Sequence, residues 1–171
     1  MVEPAEQVID ATGTVIASRW TLVAEDASLP TEDGVLPLAR LLGVTPADLP
    51  ERVGVRLAPA DSVEALVPLL ARLALIEVSF PRFRDGRGFT QARELREHYG
   101  FAGDIRAVGH VLPDQFLSLL RCGVTTFVLT GGQTPSVWRE SLALRGGLDT
   151  RPVSERALPL LRRLAAPIGV K

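Results

Sequence analysis

Residues 81–88, Pro-Arg-Phe-Arg-Asp-Gly-Arg-Gly, hold the densest group of side chains that could do chemistry, and we call this segment the arginine turn. Guanidinium groups bind carboxylates, phosphates and sulfates through paired hydrogen bonds. Free N–H groups at the start of a helix also favour an anion, and glycines let a ligand approach the backbone closely. The segment therefore predicts a site for a small oxyanion that is built from Arg84, Arg87, Gly86 and Gly88.

The same segment also fits a purely structural role. Asp85 and Gly86 are typical of a tight turn, and the Arg87 side chain could simply pair with Asp85. Arg82 and Arg84 would then lie on the surface without a ligand. The chain contains neither GxGxxG nor GxxxxGK[ST], so no phosphate-binding signature decides between the two interpretations.

Catalytic residues are harder to predict, and only weak candidates exist. His110 could act as a general base if Asp85, Asp114 or Glu77 oriented its ring, although a lone histidine is more often structural. Cys122 is the only cysteine, which excludes an intrachain disulfide and a cysteine-based zinc site, and its apolar neighbours predict a buried side chain. The catalytic residues and the cofactor therefore stay unassigned, and no metal site is predicted.

The elements that would position these residues alternate between strands and helices. Strands are predicted at residues 7–10, 14–17, 20–24, 53–57, 74–80, 105–108 and 125–130. Helices are predicted at residues 35–42, 61–73 and 90–99, from Pro113, from Pro135, and within residues 148–171. This order predicts an α/β fold in which repeated βα units surround a mainly parallel sheet, either open or partly barrel-like in the manner of a TIM barrel.

The chain is predicted to form a single domain over residues 1–171. Residues 1–26 would form an N-terminal hairpin and a first strand, residues 53–130 the βα core, and residues 148–171 a final helix. In α/β folds ligands bind where parallel strands end, so the connections 59–61, 81–88 and 109–114 should share one rim.

Two residues inside these elements need an explanation. Pro68 falls within the helix predicted at residues 61–73 and should kink it at a cost of about 3 kcal/mol. Glu77 falls within a strand that should be buried on both faces. It would therefore pair with Arg56 or Arg106 on a neighbouring strand, unless it sits at a solvated strand end.

Composition restricts the possible partners and location. The 171 residues contain 19 Lys+Arg and 20 Asp+Glu, so no overall field would attract nucleic acid or an anionic bilayer. The N-terminal residues MVEPAEQVID lack the basic start and apolar run of a signal peptide, and no run of about 18 apolar residues occurs. These features predict a cytoplasmic protein that neither binds nucleic acid nor spans a membrane.

The middle of the chain resembles the bacterial domain of unknown function 934 family. The resemblance is carried by residues 80–96, 106–109, 114–115 and 121–123, and more loosely by Trp20 and residues 35–38. The positions that match are Asp85, Gly86, Arg87, Arg93, Arg96, Arg106, Asp114, Gln115, Arg121 and Gly123. The chain departs from the family at Arg82, where lysine is usual, and at His110, where Asp or Asn is more common, and nothing is carried over beyond Thr130.

The resemblance implies a link to sulfur metabolism, because genes of this family typically lie beside those of assimilatory sulfate and sulfite reduction. We therefore expect an accessory protein of that pathway, which binds a small oxyanion or docks onto the sulfite reductase haemoprotein or its electron donor. One alternative is an oxidoreductase that uses a flavin or nicotinamide cofactor. Another is a structural assembly partner with an exposed apolar patch.

Overall fold

The computed structural model describes residues 7–24 and 27–144, so the helix predicted within residues 148–171 lies outside the described residues. In this part of the chain the strands are β1 (Gln7–Asp10), β2 (Val15–Ile16), β3 (Thr21–Leu22), β4 (Gly34–Pro37), β5 (Val53–Leu57), β6 (Leu73–Phe80), β7 (Asp104–Gly109) and β8 (Thr126–Leu129). The α-helices are α1 (Leu38–Leu42), α2 (Arg87–Arg93), α3 (Phe116–Arg121) and α4 (Pro135–Ala143), with 3-10 helices at Val63–Arg72 and Pro113–Gln115 and a π-helical turn at Glu94–His98. None of these helices is long and apolar enough to cross a membrane.

The strands form one sheet in the order β2-β1-β8-β7-β6-β5-β4-β3. Neighbouring strands from β3 to β8 are parallel, whereas β1 is antiparallel to both β2 and β8. The predicted α/β class and the N-terminal hairpin are therefore confirmed. The mainly parallel sheet is corrected to a mixed one, because the hairpin itself docks onto the β8 edge. A TIM-barrel-like repeat of the βα units stays a prediction.

The sheet has to curl, because its two edge strands are consecutive in sequence. Only residues 17–20 separate β2 from β3. Seven strand spacings of about 4.8 Å would put the edges of a flat sheet about 34 Å apart. The five residue steps from Ile16 to Thr21 can span only about 18 Å. The sheet is consequently a half-barrel, and residues 17–20, which we call the strap, cross its concave side.

The two faces of the sheet differ in what covers them. The helices pack on the convex face, which we call the helix face, and form the main core there. Its members include Val55, Ile76, Ala107 and Phe127 from the strands and Leu66, Leu95, Phe116 and Trp138 from the helices. The concave face, called the inner face, holds a small cluster of Val8, Val108 and Val128, with Ile16 packed against it.

The helix predicted at residues 35–42 is wrong in its first half. Residues 34–37 form β4, which pairs in parallel with β5, and α1 begins only at Leu38. Val35 and Leu36 are both buried, one on each face of the sheet. A strand covered on both sides is apolar at every position, so its short pattern cannot be distinguished from that of a buried helix.

The segment around Pro68 is a 3-10 helix rather than a kinked α-helix. Its buried residues Val63, Leu66 and Leu69 are spaced three apart, which is the period of a 3-10 helix. Val67, which stands four residues after Val63 and would share its face in an α-helix, has 44% of its surface exposed. Proline cannot donate a backbone hydrogen bond, and the tighter turn accommodates it without a break in the apolar stripe.

Candidate functional site

Two neighbouring strand-to-helix connections meet on one rim of the sheet. The backbone N–H of His110, directly after β7, donates to the carbonyl of Phe80, at the end of β6, over 2.7 Å. Further along, the Gln115 side-chain amide donates to the Phe83 carbonyl over 2.9 Å. The predicted juxtaposition of the connections 81–88 and 109–114 is therefore confirmed.

Gly109 allows this close approach. It has a φ of +93°, and a Cβ at this position would lie 2.6 Å from the Phe80 carbonyl oxygen. Real Cβ atoms do not come that near a backbone oxygen, and side-chain-bearing residues rarely adopt this φ. Glycine at the end of β7 is thus a geometric requirement for bringing the two connections together.

Asp85 and Arg87 form a two-point ion pair within the arginine turn. The Arg87 Nε donates to Asp85 Oδ1 over 2.9 Å, and its Nη2 donates to Oδ2 over 2.6 Å. The backbone N–H of Arg87 also donates to Oδ1, over 3.2 Å. The structural interpretation of the turn, in which Arg87 pairs with Asp85, is therefore correct. The pair uses the Nε and Nη2 atoms of the Arg87 guanidinium and leaves Nη1 outside it.

This pairing should be visible as an unusually acidic carboxyl group. The side-chain hydrogen bond from Arg87 is the largest cause that lowers the pKa of Asp85, and it brings that pKa from 3.8 to about 2. Because the folded-state pKa is lowered, the pair contributes stability above pH 3.8, and that contribution is lost as the pH falls towards 2. Carboxyl NMR titration should give a midpoint near 2 in the parent protein and a midpoint near the ordinary value in Arg87→Ala. An ordinary pKa in both proteins would contradict the pair.

The other predicted anion-binding residues have different surroundings. The Arg84 guanidinium lies 5.2 Å from the centre of the Phe83 ring, and in the described part of the chain it has no carboxylate partner. Gly86 has open space around it, whereas a Cβ on Gly88 would lie 2.5 Å from the Phe80 ring. Packing therefore explains Gly88, and a role for it in anion binding stays a prediction.

The weak catalytic candidates lie on the same rim. His110 is exposed and follows Gly109, Asp114 belongs to the 3-10 helix Pro113–Gln115, and Asp85 belongs to the neighbouring turn. The structure thus places all three on the rim, but Asp85 is engaged with Arg87. General-base catalysis by His110 stays a prediction.

Several residues that carry the family resemblance lie elsewhere and support the fold. The Arg96 Nε donates to the Gly123 carbonyl over 2.9 Å, and its Nη1 donates to the Phe101 carbonyl, which ties together the loops that precede β8 and β7. Arg93 lies 3.7 Å from the sulfur of Cys122. Burial raises the pKa of the Cys122 thiol, and its side chain is buried as predicted.

A row of charged side chains also crosses the inner face of the sheet. Cross-strand pairing aligns Arg56 on β5, Glu77 on β6, Arg106 on β7 and Thr126 on β8. The Arg56 Nε donates to Glu77 Oε2 over 2.7 Å, and the Arg106 Nη1 lies 3.9 Å from Glu77 Oε1. Glu77 therefore contacts both of its predicted partners, and we call this set the inner row.

Arg106 is the most completely bonded member of the inner row. Its Nε donates to the Thr126 hydroxyl over 3.1 Å, and its Nη1 donates to the hydroxyl of Ser18 in the strap over 3.0 Å. Its Nη2 reaches a carboxylate oxygen of Asp104 at 3.5 Å. Arg106 thus fastens the strap to the inner face, which is a structural task.

Sequence reasoning predicted an ion pair at Glu77, but it did not predict the row. The missed signal is the parity of the strand positions. Residues two positions apart in a strand lie on the same face. Arg56, Glu77 and Arg106 each come two positions after another inner-face residue of the same strand, and those residues are Gly54, Leu75 and Asp104. That observation becomes useful only after the strand register is known.

A model of a bacterial protein family of unknown function, DUF934, matches residues 54–147, which is 94 of the 171 residues. The match covers the arginine turn and the rim, and it runs past Thr130 to include α4. The looser likeness at Trp20 and residues 35–38 lies outside it. No curated protein matches the chain.

Proposed function

We propose that this chain, which belongs to the DUF934 family of bacterial proteins of unknown function, is an accessory protein of assimilatory sulfate or sulfite reduction. The rim would bind a small, doubly charged oxyanion of sulfur at the arginine turn. The pathway comes from the family resemblance, and the ligand class comes from the chemistry of the turn.

The observation that supports this proposal is the charge at the turn. Arg82, Arg84 and Arg87 carry three positive charges against the one negative charge of Asp85, which leaves a net charge of +2. Arg82, Arg84 and Arg87 are all exposed. A doubly charged anion needs such an excess of positive charge, because its dehydration has to be offset by several charge-assisted hydrogen bonds.

Asp85 has a defined part in this proposal. It holds the Nε edge of the Arg87 guanidinium, so that Nη1 is presented in a fixed direction. Arg84 rests against the Phe83 ring, which limits its rotation in the same way. Two guanidinium groups that are already oriented lose less entropy when an anion binds.

Docking onto the sulfite reductase haemoprotein or its electron donor is a second candidate, and a specific observation favours it. Phe83 and Leu112, on the two adjoining connections, have 47% and 37% of their surface exposed. Exposed apolar side chains beside arginines are typical of protein interfaces. The flavin or nicotinamide oxidoreductase and the assembly partner stay predictions, and the absorption spectrum of the purified protein tests the flavin.

Thermal unfolding in sulfite, sulfate and chloride at matched ionic strength tests the oxyanion site. A ligand present at 100 times its dissociation constant adds about 2.7 kcal/mol. In a chain of this size that amount raises the Tm by about 5–10 °C. We expect sulfite or sulfate to raise the Tm of the parent protein saturably and to have no such effect on the double variant Arg84→Ala/Arg87→Ala.

Arg72→Ala provides the matched control, because Arg72 is also an exposed arginine but lies at the end of the 3-10 helix Val63–Arg72, outside the rim. It should respond to the anions as the parent does. If neither anion raises the Tm of the parent, or if the double variant responds equally, the rim does not bind a sulfur oxyanion. Capture of the haemoprotein by the parent, but not by Phe83→Ala, would then favour docking.

A further inference from the structure

The two arginines of the inner row differ in how much of their bonding capacity is used. Arg106 engages all three of its nitrogens, and its side chain is 5% exposed. Arg56 engages only Nε, with Glu77, and its side chain is 30% exposed. Within residues 7–24 and 27–144 its two terminal nitrogens have no hydrogen-bond partner. Arg56 therefore presents the far edge of its guanidinium, with four N–H donors, to the concave side.

Glu77 fixes the direction of that edge. Its side chain is 5% exposed, and its carboxylate accepts from the Arg56 Nε over 2.7 Å and lies 3.9 Å from the Arg106 Nη1 on its other side. A carboxylate confined between two arginines cannot swing away, so the plane of the Arg56 guanidinium is set in advance. The exposed Nη1–Nη2 edge matches a planar group that offers two oxygens side by side.

A second donor lies on the same face. Ser79 stands two residues beyond Glu77 on β6, is half-buried, and has no hydrogen-bond partner for its hydroxyl in the described part of the chain. Arg56 is the penultimate residue of β5. Both side chains therefore project from the carboxyl-terminal halves of adjacent parallel strands, which is the side of an α/β sheet where ligands bind.

The charge of the inner row determines which anion fits. Arg56 and Arg106 of the inner row are balanced by Glu77 in the row and by Asp104 beside it, so this group of four side chains has a net charge of zero. Without excess positive charge, a doubly charged anion would gain too little to offset its dehydration. A singly charged anion loses less hydration free energy when it binds, and a carboxylate is a planar, singly charged group with two oxygens. The arginine turn, with its net charge of +2, favours a doubly charged anion instead.

We propose that the inner face binds the carboxylate of a small, singly charged organic acid, with Arg56 as its guanidinium fork, Ser79 as an additional donor and Glu77 as the residue that positions Arg56. This site is separate from the arginine turn and does not depend on an oxyanion binding there. Arg56 leaves one guanidinium edge unused and Ser79 leaves its hydroxyl unused on the same face of the described sheet, which alignment of the strands alone does not require.

The test is an NMR titration of the full chain with acetate and, separately, with sulfate, at constant ionic strength in chloride. We expect acetate to shift the backbone amide signals of residues 56–58 and 77–80 saturably, and sulfate to leave them unchanged. Arg56→Lys keeps the charge and the pair with Glu77 but loses the fork, so it should weaken acetate binding at least tenfold. Ser79→Ala should weaken it several-fold.

Two controls make the result decisive. Arg72→Lys, the same change at an arginine outside the sheet, should bind acetate as the parent does, and Arg84→Ala/Arg87→Ala should too. Acetate shifts that do not saturate, or that persist unchanged in Arg56→Lys, would overturn the proposal. It would equally fail if the shifts disappeared in Arg84→Ala/Arg87→Ala, because acetate would then be binding at the rim.

Discussion

Replacing Glu77 by alanine is expected to lower the free energy of unfolding by about 3–5 kcal/mol, which is the usual cost of removing one partner from a buried ion pair. In a chain of this length the Tm would fall by about 6–20 °C. Glu77 is 3% exposed and contacts two guanidinium groups. Without it, Arg56 and Arg106 face each other as like charges across β6.

The size of this effect depends on how much of the inner row can relax. Arg56 is partly exposed and can turn towards water, whereas Arg106 is 4% exposed and anchored by Thr126 and Ser18. Most of the loss should therefore come from the buried guanidinium of Arg106, whose one remaining carboxylate partner among the described residues would be Asp104, at 3.5 Å. A buried cation that loses one of its two carboxylate partners costs more than a lost surface pair.

Denaturant unfolding of three variants checks this prediction. Glu77→Gln keeps the shape and an oxygen acceptor for Arg56 but removes the charge, so its stability should lie between those of the parent and Glu77→Ala. Glu140→Ala removes an exposed carboxylate from α4 and should stay within about 0.5 kcal/mol of the parent. A loss below about 1 kcal/mol for Glu77→Ala would mean that the row is solvated and contributes little.

The sequence predicted the strands β5 to β8 to within one residue at most of their ends. Each is a run of four to eight residues that are mostly apolar or β-branched, and Pro81, Gly123 or a similar turn residue lies close to its end. The same rule failed at residues 35–37, because a strand buried on both faces has no alternation to distinguish it. A local apolar pattern therefore identifies a strand or a helix only when the length of the pattern and the residues that bound it indicate the same kind of element.

The rim was predictable for a different reason. Parallel strands joined by helical connections place those connections at one edge, so the proximity of the arginine turn and His110 followed from topology alone. The inner row did not follow, because Arg56, Glu77 and Arg106 come from three strands and align only in one register. A shift of one residue in any strand would move its charge to the helix face.

The part played by α4 was also beyond the sequence. Its predicted start near Pro135 is correct, but its apolar residues did not show which of them enters the core. Trp138 is fully buried and Val137, its neighbour, has 45% of its surface exposed. The rotation of α4 about its own axis, relative to the sheet, decides which of its residues is buried. That rotation is set by the path that residues 130–134 take after β8.

Replacing Trp138 by alanine should lower the free energy of unfolding by about 3–5 kcal/mol, the usual cost of emptying a buried aromatic site. The Trp138 ring lies 5.2 Å from that of Phe116 and 5.4 Å from that of Phe127, and those two rings are 4.7 Å apart. Because the three rings come from α4, α3 and β8, the substitution removes an aromatic contact that joins the last described helix to the sheet. Val137→Ala, one residue away on the exposed side, should change stability by less than about 0.5 kcal/mol.

Circular dichroism followed through a denaturant titration distinguishes two ways in which α4 could be attached. If α4 is part of the same cooperative unit as the β5–β8 core, Trp138→Ala shifts a single transition to lower denaturant without changing its slope. If α4 were an independent appendage, the helix signal would be lost first and the sheet would unfold at the denaturant concentration of the parent. The buried ring triad and the family match, which extends to residue 147, both favour the single transition, so the unit that carries the rim should extend from β5 through α4.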